Sequence, residues 1–281
     1  MSGSLVAKNL CKTYPEFKLD NVSFEIKPGR IMGFIGRNGA GKTTTLKIIY
    51  GLVKQDSGDV YFDSEKIVEA DASFKSQVGL LFGGVDFYPG QKVKSLTEVT
   101  KRFYSSWDDD LYHKWLKFFE ISENKKIKEL SNGMKVKYGL AVALSHGAKL
   151  LLLDEPTSGL DPVSRDEVLD CLRDIADKEN AAVLFSTHVI SDLEKCADDI
   201  TYIKEGKILY TGEVSAFEKG YVHVEGDASL LSEEQKKSIG HLRIRSSRFE
   251  GVASNEVASA IPGEKRQATM EEIMLAIERG E

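Results

Sequence analysis

The chain has 281 residues, enough for one large domain with an extension or for two small ones, and its 41% apolar content supports an ordinary core and excludes a disordered chain. Against 44 acidic residues stand 38 basic ones, a net charge of −6 with no dense lysine or arginine block, so no nucleic-acid partner is expected. Cys11, Cys171 and Cys196 stand far apart with no C-x-x-C spacing, which argues against zinc or a disulfide framework and predicts buried thiols in a reducing compartment.

In chain order, Met1-Ser2-Gly3-Ser4-Leu5 lacks a basic segment followed by a long apolar run, so no secretory signal is read and the protein is expected to stay inside the cell. Residues 5–29 alternate as short strands do, with period two at Val22-Ser23-Phe24-Glu25-Ile26 and a turn at Pro28-Gly29; this predicts an antiparallel β-layer. Residues 31–35 read as a buried strand, and the apolar helical pattern of 44–49 follows. Between them, Gly36-Arg37-Asn38-Gly39-Ala40-Gly41-Lys42-Thr43-Thr44 fits the phosphate-loop pattern G-x-x-x-x-G-K-[ST] at every fixed position.

Glycine at 36, 39 and 41 lets successive N–H groups turn inward at a helix N-terminus, which makes an anion site of Gly36, Asn38, Gly39, Ala40 and Gly41. Lys42 adds a charge for the β- and γ-phosphates, Thr43 a hydroxyl for Mg²⁺, and Thr44 a hydrogen bond to phosphate. The loop therefore predicts a protein that binds ATP with Mg²⁺.

Further along, 58–63 reads as strand and turn, and the strand-like 78–82 leads into Gly83-Gly84. From Leu96 to Glu129 the period becomes helical: Phe103, Trp107, Leu111, Trp115 and Phe118 are expected to share one buried face, and Asp108 to cap a new helix. We read residues 85–135 as a helical subdomain inserted into the core. Two apolar runs, 150–153 and 182–186, flank a helical pattern over 163–178, the βαβ rhythm of a parallel sheet. The most apolar stretch, 139–153, is broken by His146 and Lys149 and falls short of the roughly 20 residues that cross a bilayer, so any membrane function needs another subunit. Beyond 220 the pattern weakens; Val222-His223-Val224 and the helical 269–277 predict a small α/β appendage over 221–281 with no catalytic motif.

Asp154 and Glu155 close the run Leu150-Leu151-Leu152-Leu153, which places both acids at the carboxyl edge of a buried strand beside the phosphate loop. There Asp154 can hold Mg²⁺ through water, and Glu155 can act as general base toward the attacking water.

With these residues in hand, 5–220 resembles the ATP-binding-cassette (ABC) transporter ATPases, an α/β P-loop NTPase fold with an antiparallel β-layer and an inserted helical subdomain. Leu130-Ser131-Asn132-Gly133-Met134 is similar to the family signature LSGGQ, Ser158-Gly159-Leu160-Asp161 to the D-loop, His188 to the switch histidine, and Tyr14 to the aromatic that stacks on adenine. The resemblance implies an ABC ATPase domain over 1–220 and an accessory subdomain over 221–281. It also implies a head-to-tail dimer, of two copies or with a second ATPase subunit, in which Ser131 and Gly133 meet the partner's ATP, Asp161 is counted among the nucleotide-binding residues and His188 reaches the γ-phosphate.

The chain departs from the family at Asn132, Met134 and Gly83; the last stands where a glutamine usually touches Mg²⁺ and the membrane partner, with Gln77 and Gln91 out of register. Segments 103–108, 130–137 and 191–194 are similar to a bacterial ABC-2-type exporter subgroup that includes YtrB-like, bacitracin-resistance-like and phenol-soluble-modulin exporter ATPases. That resemblance implies a peripheral protein on the cytoplasmic face of the membrane, joined to multi-span subunits that dock near 82–88 and move amphipathic peptides outward. The alternative is a soluble ABC-type ATPase without transport, and the appendage is expected to support dimerisation or regulation.

Overall fold

Strand β1 (Leu5–Tyr14) pairs antiparallel with β2 (Phe17–Ile26), and alternate residues Leu5, Ala7, Leu19, Val22, Phe24 and Ile26 point into one core. The computed structural model describes residues 3–68, 71–82 and 88–279. Residues 83–87, which hold Gly83 and most of the expected docking segment, lie outside the described residues. After β2 come β3 (Ile31–Ile35), α1 (Lys42–Ile49), β4 (Ser57–Phe62), β5 (Glu65–Lys66), α2 (Ala72–Ser76) and β6 (Val78–Phe82). The helical insertion comprises α3 (Val93–Thr100), α4 (Asp109–Phe118) and α5 (Asn132–Ser145). The core resumes with β7 (Leu150–Asp154), α6 (Pro162–Glu179), β8 (Ala182–Thr187), α7 (Ile190–Cys196), β9 (Asp199–Lys204) and β10 (Lys207–Glu213).

Two sheets form this unit: β2-β1-β4-β5, which is antiparallel, and the six-stranded order β10-β9-β3-β8-β7-β6. In the second sheet the pairs among β9, β3, β8, β7 and β6 are parallel. Every residue of β3 and of β8 is buried, as strands covered on both faces must be. Leu46, Ile48 and Ile49 of α1 join Phe24 and Phe62 of one sheet to Phe34, Leu152 and Leu184 of the other in a single cluster. At about 1.5–3 kcal/mol for each large side chain buried, this cluster holds the loop between β3 and α1 against a fixed wall.

In the insertion, Asp108 caps α4 as expected, accepting the Leu111 N–H at 2.9 Å. The expected buried face is corrected: Phe103 is 77% and Phe118 62% exposed, whereas Tyr112, Leu116 and Phe119 are buried. The helix stops after Phe103 and restarts at Asp109, so the phase is reset and one continuous stripe cannot form. A buried hydroxyl triad ties the three helices together, Thr97 Oγ1 lying 2.7 Å from Tyr112 Oη and 2.8 Å from Tyr138 Oη. Cys171 and Cys196 are buried, and burial pushes both thiols up to about 12; Cys11 is only half-buried, because it sits on the outer side of β1.

Backbone contacts divide the chain into 1–211 and 212–281, earlier than the expected 220. The physical reason is that α8 (Val214–Lys219) is held by the second unit: Lys219 O accepts Asn255 Nδ2 and Glu218 O accepts Gln267 Nε2. That unit adds β11 (Tyr221–Asp227), α9 (Glu233–Ser238), β12 (Gly240–Arg245), β13 (Arg248–Ser254), α10 (Asn255–Ala258), β14 (Glu264–Gln267) and α11 (Met270–Arg279). Its sheet order is β12-β13-β11-β14, antiparallel throughout, around a core of Val224, Leu231, Ile239, Phe249 and Ala253.

Candidate active site

The chain leaves β3 at Gly36, where an added Cβ would stand 2.3 Å from Ile203 O of β9; no larger residue fits. At the other end of the loop Gly41 takes φ 116° as the residue before α1, a left-handed conformation costly for a side chain. Ala40 O accepts the Gly206 N–H at 3.0 Å, which anchors the loop to the turn after β9. Lys42 is 6% exposed, and its ammonium donates to Gly36 O at 2.7 Å and Arg37 O at 3.3 Å. A buried charge needs such oxygens, and the loop's own carbonyls supply them.

Facing the loop, the strand order sets β8 between β3 and β7, with Ile35 opposite Thr187 and Ser186 opposite Asp154. The acids' strand is thus one place further from the phosphate loop than the sequence suggested, yet Thr43 Oγ1 still lies 2.9 Å from Asp154 Oδ2 and 3.1 Å from Oδ1. Ser186 Oγ donates to Asp154 Oδ1 at 2.6 Å and accepts the Glu155 N–H at 2.9 Å. Glu155 takes φ 51°, left-handed for a residue with a side chain, at a cost of about 1–2 kcal/mol. Its Oε2 lies 2.8 Å from His188 Nδ1 and its Oε1 3.6 Å from Lys42 Nζ.

A cleft of about 370 Å³ opens over these groups, lined by Phe17, residues 37–39 and 41–44, and Glu155. The structure therefore gathers Asn38, Gly39, Gly41, Lys42, Thr43, Thr44 and Glu155 in one place, with Asp154 and His188 hydrogen-bonded to members of that group. Tyr14 is not in this lining. It is 38% exposed at the end of β1, with its ring centroid 6.4 Å from that of Phe17. Sequence reasoning missed Phe17 and Ser186: the first is an aromatic three residues after Tyr14, the second the residue two before the switch-like histidine.

Ser131, Gly133 and Asp161 form a second cluster outside the cleft lining. Ser131 Oγ accepts the Met134 N–H at 3.2 Å and so opens α5. An added Cβ at Gly133 would stand 3.0 Å from Ser164 of α6, so the two helix starts meet closely. Asp161 opens α6, accepting N–H groups from Val163 and Ser164 at 3.1 and 3.0 Å; these bonds, Ser164's first, hold its carboxyl below the usual range.

The donors suit Mg²⁺. The Thr43 hydroxyl and the Asp154 carboxylate are hard oxygens within hydrogen-bond reach of each other, which leaves the remaining positions of a small, strongly hydrated cation to phosphate and water. Beside them Lys42 and the loop can hold phosphates, and Glu155 can take a proton from water.

Residues 19–158 match the sequence family described as ABC transporter. The chain is 30% identical over 223 residues to the ABC transporter ATP-binding protein YtrB of Bacillus subtilis, covering 77% of this chain and 75% of that one. It is 32% identical over 212 residues to the bacitracin transport ATP-binding protein BcrA of Bacillus licheniformis, covering 74% and 69%. ATP-binding proteins of lantibiotic transport and of phosphonate import match as well. Among solved structures, the dimeric post-hydrolysis state of the ATP-binding cassette MJ0796 with ADP and Pi aligns with a TM-score of 0.67 at 26% identity, covering 75% of this chain and 98% of that one. These relatives are transporter subunits, and the non-transport alternative gains no support from them. With a phosphate loop, paired acids and a switch-like histidine assembled on one sheet edge, the chain belongs to the ABC transporter family as an ATP-binding subunit that hydrolyses ATP with Mg²⁺.

Proposed function

We propose that this subunit energises a bacterial exporter, working as one half of a head-to-tail ATPase dimer on the cytoplasmic face of the membrane. The observation that carries the catalytic reading is Glu155, held between His188 at 2.8 Å and Lys42 at 3.6 Å and turned left-handed at the edge of β7. In this reading Lys42 and the amides of 36–44 bind the β- and γ-phosphates, and Phe17 or Tyr14 flanks the base. Glu155 removes a proton from the water that attacks the γ-phosphorus as the bond to ADP breaks, and His188 holds Glu155 and donates to the phosphate. Thr43 and Asp154 would hold Mg²⁺, which would supply charge neutralisation for the phosphates. Ser131, Gly133 and Asp161 complete the partner's site.

Among the described residues no helix is long and apolar enough to cross a membrane; in this reading separate multi-span subunits carry the cargo path. We place their docking segment at 82–88, where Tyr88 is 69% exposed. Names such as bacitracin and lantibiotic transport favour amphipathic or antimicrobial peptides as cargo, while the phosphonate relative keeps import as the second reading.

The test is co-purification of the tagged full chain from its native membranes, with and without Glu155→Gln and ATP. Recovery of a multi-span subunit, lost on changing Phe87 and Tyr88 to serine, is the expected outcome. Recovery of soluble partners only would overturn the transporter reading, and ATP-driven peptide efflux from inverted vesicles, rather than uptake into them, would reverse its direction.

A further inference from the structure

A carboxylate that the chemistry above does not use is completely buried on α7. Asp192 is 0% exposed, and it binds three segments at once. Its Oδ2 accepts Thr157 Oγ1 at 2.6 Å, two residues after Glu155, and Thr187 Oγ1 at 3.3 Å, immediately before His188. Its Oδ1 accepts Arg165 Nε at 2.5 Å, from the first turn of α6. Thr187 Oγ1 in turn accepts the Val189 N–H at 3.0 Å, so the residues on both sides of His188 are fixed through this one carboxylate, Thr187 by its hydroxyl and Val189 by its backbone N–H.

The first turn of α6 faces two ways. Asp161 opens it, and the Arg165 N–H donates to Asp161 O at 3.0 Å. Ser164 stands where a Cβ on Gly133 would be 3.0 Å away, at the start of α5, while its neighbour Arg165 grips Asp192. Ser131 and Gly133 are therefore linked to Glu155 and His188 by an unbroken chain of contacts: Gly133 to Ser164, Arg165 to Asp192, and Asp192 to Thr157 and Thr187. Every polar atom in its buried middle is hydrogen-bonded or charge-paired, which makes the link stiff and costly to break at one point.

We propose that Asp192 is a positioning residue that sets the Glu155–His188 pair and makes its geometry follow the first turn of α6. This rests on the reading in which Glu155 acts on the chain's own ATP and Ser131 and Gly133 on the partner's. The Arg165–Asp192 pair then reports engagement of the signature-like segment to the hydrolytic pair of the same chain, so each chain fires its own ATP only when it has closed on its neighbour's.

The experiment uses the full chain with its membrane subunits and compares Asp192→Asn, Arg165→Met, their combination, and Arg165→Lys, with circular dichroism confirming that each is folded. ATP turnover gives kcat and KM, and the fluorescent analogue TNP-ATP gives affinity. We expect each of Asp192→Asn and Arg165→Met to lower kcat at least tenfold with affinity within twofold of the parent. The double variant should fall no further than the worse single one, and Arg165→Lys, which keeps the charge, should stay within threefold of the parent. A kcat within twofold of the parent in folded Asp192→Asn overturns the proposal, as do losses that multiply in the double variant. A role confined to stability would lower the melting temperature and leave kcat per folded molecule intact, which also overturns it. Should Asp192→Asn be unfolded, Arg165→Met with Thr157→Val decides in the same way. The underlying catalytic reading fails separately, by turnover persisting in Glu155→Gln.

Discussion

Glu155 Oε2 and His188 Nδ1 lie 2.8 Å apart although 33 positions separate them in sequence, because β7 and β8 are neighbours in register and both chains leave the sheet at the same edge. The contact makes the two side chains one unit. Glu155→Gln should lower ATP turnover at least about 100-fold with nucleotide affinity retained, and His188→Ala should lose a similar factor. The double variant should lose little more than either alone in a phosphate-release assay; multiplied losses would mean independent roles.

Ser186 holds both acids from one hydroxyl, at 2.6 Å from Asp154 Oδ1 and 2.9 Å from the Glu155 N–H. Ser186→Ala leaves that N–H without its partner and frees the left-handed turn, at a cost of about 1–3 kcal/mol of stability. Turnover should fall about tenfold and the Mg²⁺ concentration for half-maximal rate should rise; a titration of rate against Mg²⁺ checks both.

Phe17 lines the phosphate cleft, and its ring atom Cζ lies 2.9 Å from where a Cβ on Gly41 would stand, whereas Tyr14 is outside the lining. Removing the Phe17 ring should therefore weaken nucleotide binding more than removing that of Tyr14, by about 1 kcal/mol, or five- to tenfold in Kd. Calorimetry on Phe17→Ala and Tyr14→Ala gives the ranking. The reverse order would assign base stacking to Tyr14.

His146 caps the end of α5, 2% exposed and stacked on Tyr104 with ring centroids 3.9 Å apart. Burial pushes it down from the usual 6.5 to about 4. Above pH 6.5 the imidazole is neutral in both folded and unfolded chains; between 6.5 and about 4 only the unfolded chain takes up the proton, so stability is lost as the pH falls through that window. The loss should reach about 3 kcal/mol at most. His146→Phe, which keeps the stack, should flatten the melting-temperature profile between pH 6.5 and 4.5 relative to the parent.

Local chemistry was legible without coordinates. Glycines, a lysine and a threonine at fixed spacing specify a phosphate loop wherever a strand precedes and a helix follows, and Ile31–Ile35 and Lys42–Ile49 supply both. Asp154 and Glu155 were readable for the same reason, as charges ending an apolar run too buried to carry them further inward. The tertiary structure alone decided which strand lies between the loop and the acids, since sequence order puts β7 before β8 while the sheet sets β8 beside β3. It also decided which aromatic faces the cleft, because Tyr14 and Phe17 differ only in the side of a turn they leave from. The roles of Ser186 and Asp192 were hidden because hydrogen bonds between segments more than 20 residues apart leave no periodicity or spacing to read. The helical insertion failed at Phe103 and Phe118 for a related reason: Asp108 was legible as the cap of a new helix, but a face carries over only while the helix is unbroken, and the phase in which α4 buries Tyr112 and Leu116 is decided by packing.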